Sequence, residues 1–158
     1  MATSASSHDA ARVALLLGRE PESTFDVVVR DASGEPVVLR NAPLMLDGRP
    51  MPTRFWLVGK DALLRVSRLE AAGGVRAAEA AIPPDEIAAA HARYAAEREA
   101  ALPSDHRGPR PSGGVAGTRQ GVKCLHAHYA YHLAGGDDPV GRWVAAQLAG
   151  AEQPQAPT

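Results

Sequence analysis

Leu63, Leu64, Val66 and Leu69 fall at helical spacing until Gly73-Gly74 interrupts them, whereas Phe25-Asp-Val-Val-Val-Arg30 and Pro36-Val-Val-Leu-Arg40 are short β-branched runs. The first pattern predicts a helix and the other two predict strands. Asp31-Ala-Ser-Gly34 joins the strands and supplies a glycine for positive φ, so the pair reads as an antiparallel hairpin. Asn41 to Thr53 holds three prolines and the turn dipeptide Asp47-Gly48, which keeps the chain irregular until Arg54-Phe-Trp-Leu-Val58 offers a third strand.

On either side of this core the pattern is helical. His8 to Gly18 carries Val13, Leu16 and Leu17 on one stripe, with Asp9 near its start and Gly18 placed to end it. Pro83-Pro84 and Asp85-Glu86 suit the start of a long amphipathic helix through Ile87, His91, Tyr94 and Arg98 towards Leu102. Pro103 to Gly117 contains four glycines and three prolines, and is expected to be a mobile loop. Thr118 or Gln120 leads into a further helix ended by Gly135-Gly136. Asp138 then caps a last helix that begins at Pro139 and carries Val140, Trp143, Val144 and Leu148. Together these elements predict one α+β domain over residues 1–150, a small antiparallel sheet of about three strands packed against roughly four to five helices. Residues 151–158 are expected to form a flexible tail.

Composition narrows the function classes. Among 158 residues, 17 basic and 18 acidic side chains give a formal net charge of -1, which argues against coating nucleic acid or an anionic membrane. The single cysteine excludes an internal disulfide, and no segment approaches the roughly 18 continuous apolar residues of a membrane span. The expected location is the cytoplasm.

Chemistry concentrates in Gly121 to His132, which holds the only cysteine, three of the six histidines and two of the three tyrosines. On a wheel of about 100° per residue with Val122 as origin, Leu125, His126, Tyr129 and Leu133 cluster, so His126 is expected to face the core and Cys124 and Tyr131 the opposite side. Cys124, His128 and His132 follow one another at i, i+4 and i+8. Consecutive pairs suit a zinc ion, but the ends of that stripe lie about 12 Å apart, so at most a subset of Cys124, His126, His128 and His132 can share one metal. Cys124 and His126 pair only if the backbone there is extended or just entering the helix. The competing account is plain packing, with a small apolar cysteine and hydrogen-bonded histidines.

A second constellation is electrostatic: Arg107, Arg110, Arg119 and Lys123 flank the glycine-rich segment and the following helix start, a setting for a phosphate or carboxylate. Gly113-Gly-Val-Ala-Gly-Thr-Arg119 lacks the spacing and lysine of a Walker A loop. Asp137-Asp138 before Pro139 reads as a helix cap, with Arg142 placed to pair with Asp138.

Leu17-Gly-Arg19, Asn41-Ala-Pro43, Asp47-Gly-x-Pro-x-Pro-Thr53, Ser67-Arg-Leu-Glu70 and Val122-Lys-Cys-Leu-His126, in this order, resemble the bacterial domain of unknown function 501 family, common in actinobacteria. In many members an Arg-Cys-Pro-x-Gly-x-Pro stretch corresponds to Arg30 to Pro36 here, where Asp31 stands in place of the cysteine. The resemblance therefore implies a thiolate-rich metal site only with a carboxylate replacement. It carries no established activity; family genes often neighbour those of an exopolyphosphatase and a septum-formation initiator, an association that points towards phosphate metabolism or envelope growth.

The expected function is a cytoplasmic binding or regulatory module, with an anion or metal site, zinc being the candidate ion, where the 103–123 segment meets Cys124 and His126. One alternative is metal-assisted hydrolysis of a phosphorylated substrate. The other is a protein-interaction module with an exposed apolar patch around Met51, Phe55 and Trp56. The expected partner is accordingly a small anionic ligand or another protein.

Overall fold

A computed structural model describes residues 5–152. Helix α1 (Ser7–Leu17) precedes strands β1 (Phe25–Arg30), β2 (Pro36–Asn41) and β3 (Phe55–Leu57). Helices α2 (Lys60–Ala71), α3 (Gly74–Ala81), α4 (Pro84–Ala100), α5 (Leu125–Leu133) and α6 (Pro139–Glu152) follow, with a 3-10 turn at Val115–Gly117 between α4 and α5. The α+β expectation holds, with six α-helices among the described residues. The predicted tail begins inside α6, and its residues from 153 onward lie outside the described part of the chain.

The sheet is antiparallel in the order β1-β2-β3. Gly34, at φ 88°, takes the left-handed conformation that the hairpin turn requires. In the centre of β2, Val38 and Leu39 are both fully buried although adjacent side chains point to opposite faces. The reason is that both faces are covered. Val38 joins Phe55 and Leu57 in the main core with the helices, whereas Leu39 joins Phe25, Val58 and Val13 under α1. Buried Asp9 ties α1 to the hairpin through two bonds from the Arg30 guanidinium, at 2.8 and 3.0 Å. Those bonds hold the Asp9 carboxyl below the usual carboxylate range.

Helix α5 lies at the centre of the molecule, packed by α6, β3 and α2. Its buried Tyr131 stacks on Phe55 at 5.4 Å and meets Tyr94 of α4 edge-on at 5.1 Å. That cluster leaves no room at Gly136, where an added Cβ would lie 2.1 Å from the Tyr131 ring.

The structure differs from expectation in three places. Gly73-Gly74 ends α2 as expected, but an unexpected short helix, α3, follows at once from the alanine-rich stretch. The Cys/His helix begins at Leu125, not near 118–120. Most significantly, the segment expected to be mobile is fastened along its second half. Buried Arg98 donates to the carbonyls of Gly114 (2.9 Å), Gly113 (2.6 Å) and Pro52 (2.9 Å). His91 Nδ1 accepts the Val115 N–H at 3.0 Å, and its Nε2 bonds the Gly121 carbonyl at 2.8 Å. The segment pairs only part of its backbone with itself, through Gly114, Gly117 and Thr118, and side chains of α4 satisfy further groups. No helix among the described residues is long and apolar enough to cross a membrane.

Tyr94 serves the same purpose for β3. Its hydroxyl accepts the N–H groups of Arg54 at 2.5 Å and Phe55 at 3.1 Å, and burial pushes its pKa up to about 12. Replacing Tyr94 by Phe orphans both donors, and urea denaturation is expected to show a loss of about 1–3 kcal/mol with the fold retained. An unchanged midpoint would mean that the hydroxyl is not needed there.

Candidate functional site

Cys124 is the N-cap residue of α5, with φ -149° and ψ 153°, and its side chain makes no capping bond. Extended backbone at Cys124 followed at once by helix is the geometry in which Cys124 and His126 can share a site. Both line one cavity of about 270 Å³, walled by Phe55 and Leu57 of β3, Leu63 of α2, and Thr53, Ala116 and Ala127. Its lining contains no arginine, lysine or carboxylate.

The helix-wheel expectation for this segment is corrected on two counts. Val122 lies outside the helix, so it is not a valid origin for the wheel, and neighbours on several sides bury more than one stripe. His126 is half-exposed at the surface, whereas His128 and Tyr131 are buried. On its Nδ1 side His126 pairs with the Glu70 carboxylate, and its Nε2 lies 3.2 Å from Ser67 Oγ. Glu70 Oε1 also accepts the Leu125 N–H at 3.2 Å, so one carboxylate holds both the helix start and the imidazole. With Nδ1–H donated to Glu70, Nε2 is left as an acceptor facing the serine hydroxyl.

His128 has a different environment. Its Nδ1 lies 2.7 Å from Asp138 Oδ2, with side-chain exposures of 1% and 0% for the two residues. The other oxygen of Asp138 accepts the N–H groups of Val140 and Gly141, which makes Asp138 the predicted cap of α6. Arg142 pairs with Asp137 instead of Asp138, because Asp138 is enclosed in the core. His128 Nε2 is buried without a hydrogen-bond partner among the described residues. His132 lies against α6, where its Cβ would collide with a side chain on Gly141.

The four candidate metal ligands thus separate, with Cys124 and His126 at the cavity, His128 in the core and His132 against α6. Asp31, in the position of the family cysteine, uses its carboxylate to accept the Ser33 and Glu35 N–H groups in the hairpin turn. No group of three metal-ligating side chains exists among the described residues.

The cationic constellation separates as well. Arg110 pairs with Glu99 near the end of α4, whereas Arg119 lines a second cavity of about 330 Å³ with Ile87, Ala88 and His91 near its start. At about 1.5 Å per residue, Ala88 and Glu99 lie roughly 16 Å apart along the helix. Arg107 and Lys123 are exposed. The apolar patch expected around Met51, Phe55 and Trp56 is not a surface, since Met51 and Phe55 are each 4% exposed. Trp56 is half-buried and covered on one side by the Arg19 guanidinium, 5.3 Å from the ring centroid.

The side chains that build this region come mostly from outside the Cys/His segment. Glu79 accepts the Val122 N–H at 2.8 Å, adding to the anchors supplied by Glu70, His91 and Arg98. Ser67 and Glu70 stand at i and i+3, a spacing that puts hydroxyl and carboxylate on one helix face and is readable in the sequence. Nothing in the sequence pairs that face with His126.

Fold and site define a small α+β protein in which an apolar cavity opens beside a histidine held between a carboxylate and a hydroxyl. The family described as protein of unknown function (DUF501) matches residues 27–146, and the chain belongs to it. No curated protein and no solved structure matches the chain.

Removing one partner of the buried His128–Asp138 pair also removes the cap of α6. Asp138→Ala is expected to destabilise the protein by about 3–5 kcal/mol in urea titrations. A loss below about 1 kcal/mol would show the pair to be dispensable.

Proposed function

We propose that the chain is a cytoplasmic binding module whose ligand occupies the Cys124/His126 cavity. The observation that carries this reading is the opening of both side chains, from the cap and first turn of α5, onto one cavity with apolar walls. Its volume, about 270 Å³, is at the small end for ligand sites and suits a short acyl or aliphatic group. The absence of charge in the lining favours a neutral ligand over a phosphate. His126, oriented by Glu70, supplies the polar contact at the mouth.

Cys124 is the sole cysteine of the chain and is half-buried in the cavity wall, so it reports occupancy directly. Methyl propyl ketone and butyramide are suitable neutral probes. Binding is expected in ligand-observed NMR, with iodoacetamide alkylation of Cys124 slowed several-fold at saturating probe and both effects lost in Leu63→Trp, which fills the cavity. Unaltered alkylation at millimolar probe, with no NMR signal of binding, would end the proposal.

A second reading concerns the Arg119 cavity, where the exposed Arg119 and the Glu79 carboxylate share a lining with Ile87 and Ala88. Glu79 is engaged by the Val122 N–H, so Arg119 is the group left to receive the anionic end of a ligand with an apolar body. Thermal-shift titration with phosphate, pyrophosphate and butyrate is expected to raise Tm, and Arg119→Ala to abolish the rise. A rise of the same size in Arg119→Ala would dismiss this reading.

A further inference from the structure

We infer that Ser67 is the nucleophile of an acyl-transfer site that hydrolyses esters of small apolar acids, with His126 as its general base and Glu70 as the residue that positions the imidazole. The inference rests on the Cys124/His126 cavity being the ligand site and adds a reaction to it. Three contacts carry it. Ser67, exposed on α2 and outside the cavity lining, has its Oγ within hydrogen-bond reach of His126 Nε2 at 3.2 Å, the opposite ring nitrogen pairs with Glu70, and the imidazole residue itself lines the cavity and so links the serine to it. A nucleophile bonded to a base that is oriented by a third group is the arrangement by which an ordinary hydroxyl becomes reactive.

The arrangement spans two parts of the fold. Ser67 and Glu70 come from α2 and His126 from the first turn of α5, 59 residues from the serine in sequence. Local helix geometry explains why Ser67 and Glu70 share a face, but not why an imidazole lies between them. Glu70 is fixed by a second bond, from the Leu125 N–H, so the carboxylate cannot swing away without releasing the start of α5. The half-exposed Cys124 is the competing nucleophile, yet the His126 ring nitrogen that would take a proton contacts Ser67.

The reaction balances with water as the only co-reactant. Ser67 Oγ attacks the ester carbonyl carbon while its proton passes to His126 Nε2, forming the Oγ–C bond and an oxyanion. The oxyanion collapses, the bond from carbon to the alkoxy oxygen breaks, and the leaving alcohol takes the proton from Nε2. Water then attacks the acyl-serine carbonyl, giving its proton to Nε2. The Oγ–C bond breaks, Ser67 recovers the proton, and the acid is released. The N–H groups of His126 and Ala127 belong to the first turn of α5 and have no helical carbonyl to bond, which makes them the candidate donors to the oxyanion.

The substrate class follows from the walls. Phe55, Leu57, Leu63 and Ala127 surround the space with hydrocarbon, and no cation lines it to receive a phosphoryl or carboxylate group. A neutral ester with a short aliphatic or small aromatic acyl group is the fitting substrate.

The test uses the full chain with p-nitrophenyl butyrate and a fluorophosphonate probe. Turnover is expected with an initial burst of nitrophenolate, and peptide mass spectrometry should place the fluorophosphonate on Ser67. Ser67→Ala should lower the rate about 10²-fold or more and abolish labelling, while keeping the melting temperature and the binding of methyl propyl ketone. Ser104→Ala, on an exposed loop, serves as the control and should keep the wild-type rate. Glu70→Gln should lower kcat with little change in KM, and Glu70→Asp should restore part of it. A label on another residue, or turnover unchanged in Ser67→Ala, would overturn the inference. Ketone binding without any esterase activity would overturn it too, yet leave the proposed binding function standing. Absence of both binding and turnover would remove the two together.

Discussion

Backbone that belongs to no helix or strand must still have its polar groups satisfied, and in this protein that requirement governs the path from Gly113 to Leu125. Arg98 donates to the carbonyls of Gly113 and Gly114, His91 accepts the Val115 N–H and bonds the Gly121 carbonyl, and Glu79 and Glu70 accept the N–H groups of Val122 and Leu125. Five side chains from three helices would leave buried donors or acceptors unpaired if this segment shifted; four are those just named, and the fifth is Tyr94, which treats the adjoining strand β3 in the same way. Among the described residues Arg98 has no carboxylate ion-pair partner, and burial lowers its pKa. An isolated buried guanidinium is unfavourable, so its three carbonyl contacts are what make the position tenable.

This fastening determines what the site can be. With Val122 and Leu125 both held by carboxylates, Cys124 stays extended and α5 starts one residue later, which aims Cys124 and His126 at one cavity. An earlier start, near Thr118 or Gln120, would put residues 124 and 126 on separate helix faces. Glu70 then acts twice, as the anchor of the helix start and as the partner of the imidazole, so the geometry of the histidine is coupled to the geometry of the fold. The enclosed His128–Asp138 pair belongs instead to the packing of α5 against α6. Asp138 caps α6, and the two helices approach closely enough that a side chain at Gly141 would strike the His128 carbonyl.

Most of the fold was legible. The hairpin was marked by β-branched runs about a glycine turn, α4 by the stripe Ile87, His91, Tyr94 and Arg98, and α6 by Asp138 before Pro139, because each signal is local and uses a single periodicity or cap. Helix α3 was missed because it is only 8 residues long and begins directly after the glycines that end α2. The site was legible only in outline. Cys124 and His126 were located by their density along the chain, whereas Ser67 and Glu70 were visible only as a family-like string with no indicated partner. The same limit applied to the arginines. Proximity in sequence suggested one cationic cluster, but the connection runs along α4 and leaves Arg110 and Arg119 near its opposite ends.

By itself the sequence determined the class of the fold, the order of most elements, the glycine in the hairpin turn and the residues able to carry chemistry, since these depend on backbone preference and on spacing within one element. Only the tertiary structure decided where α5 begins, which histidine is buried, and which hydroxyl and carboxylate meet His126. Those outcomes depend on contacts between segments tens of residues apart, where satisfaction of buried polar groups and packing from several sides outweigh the local helical period.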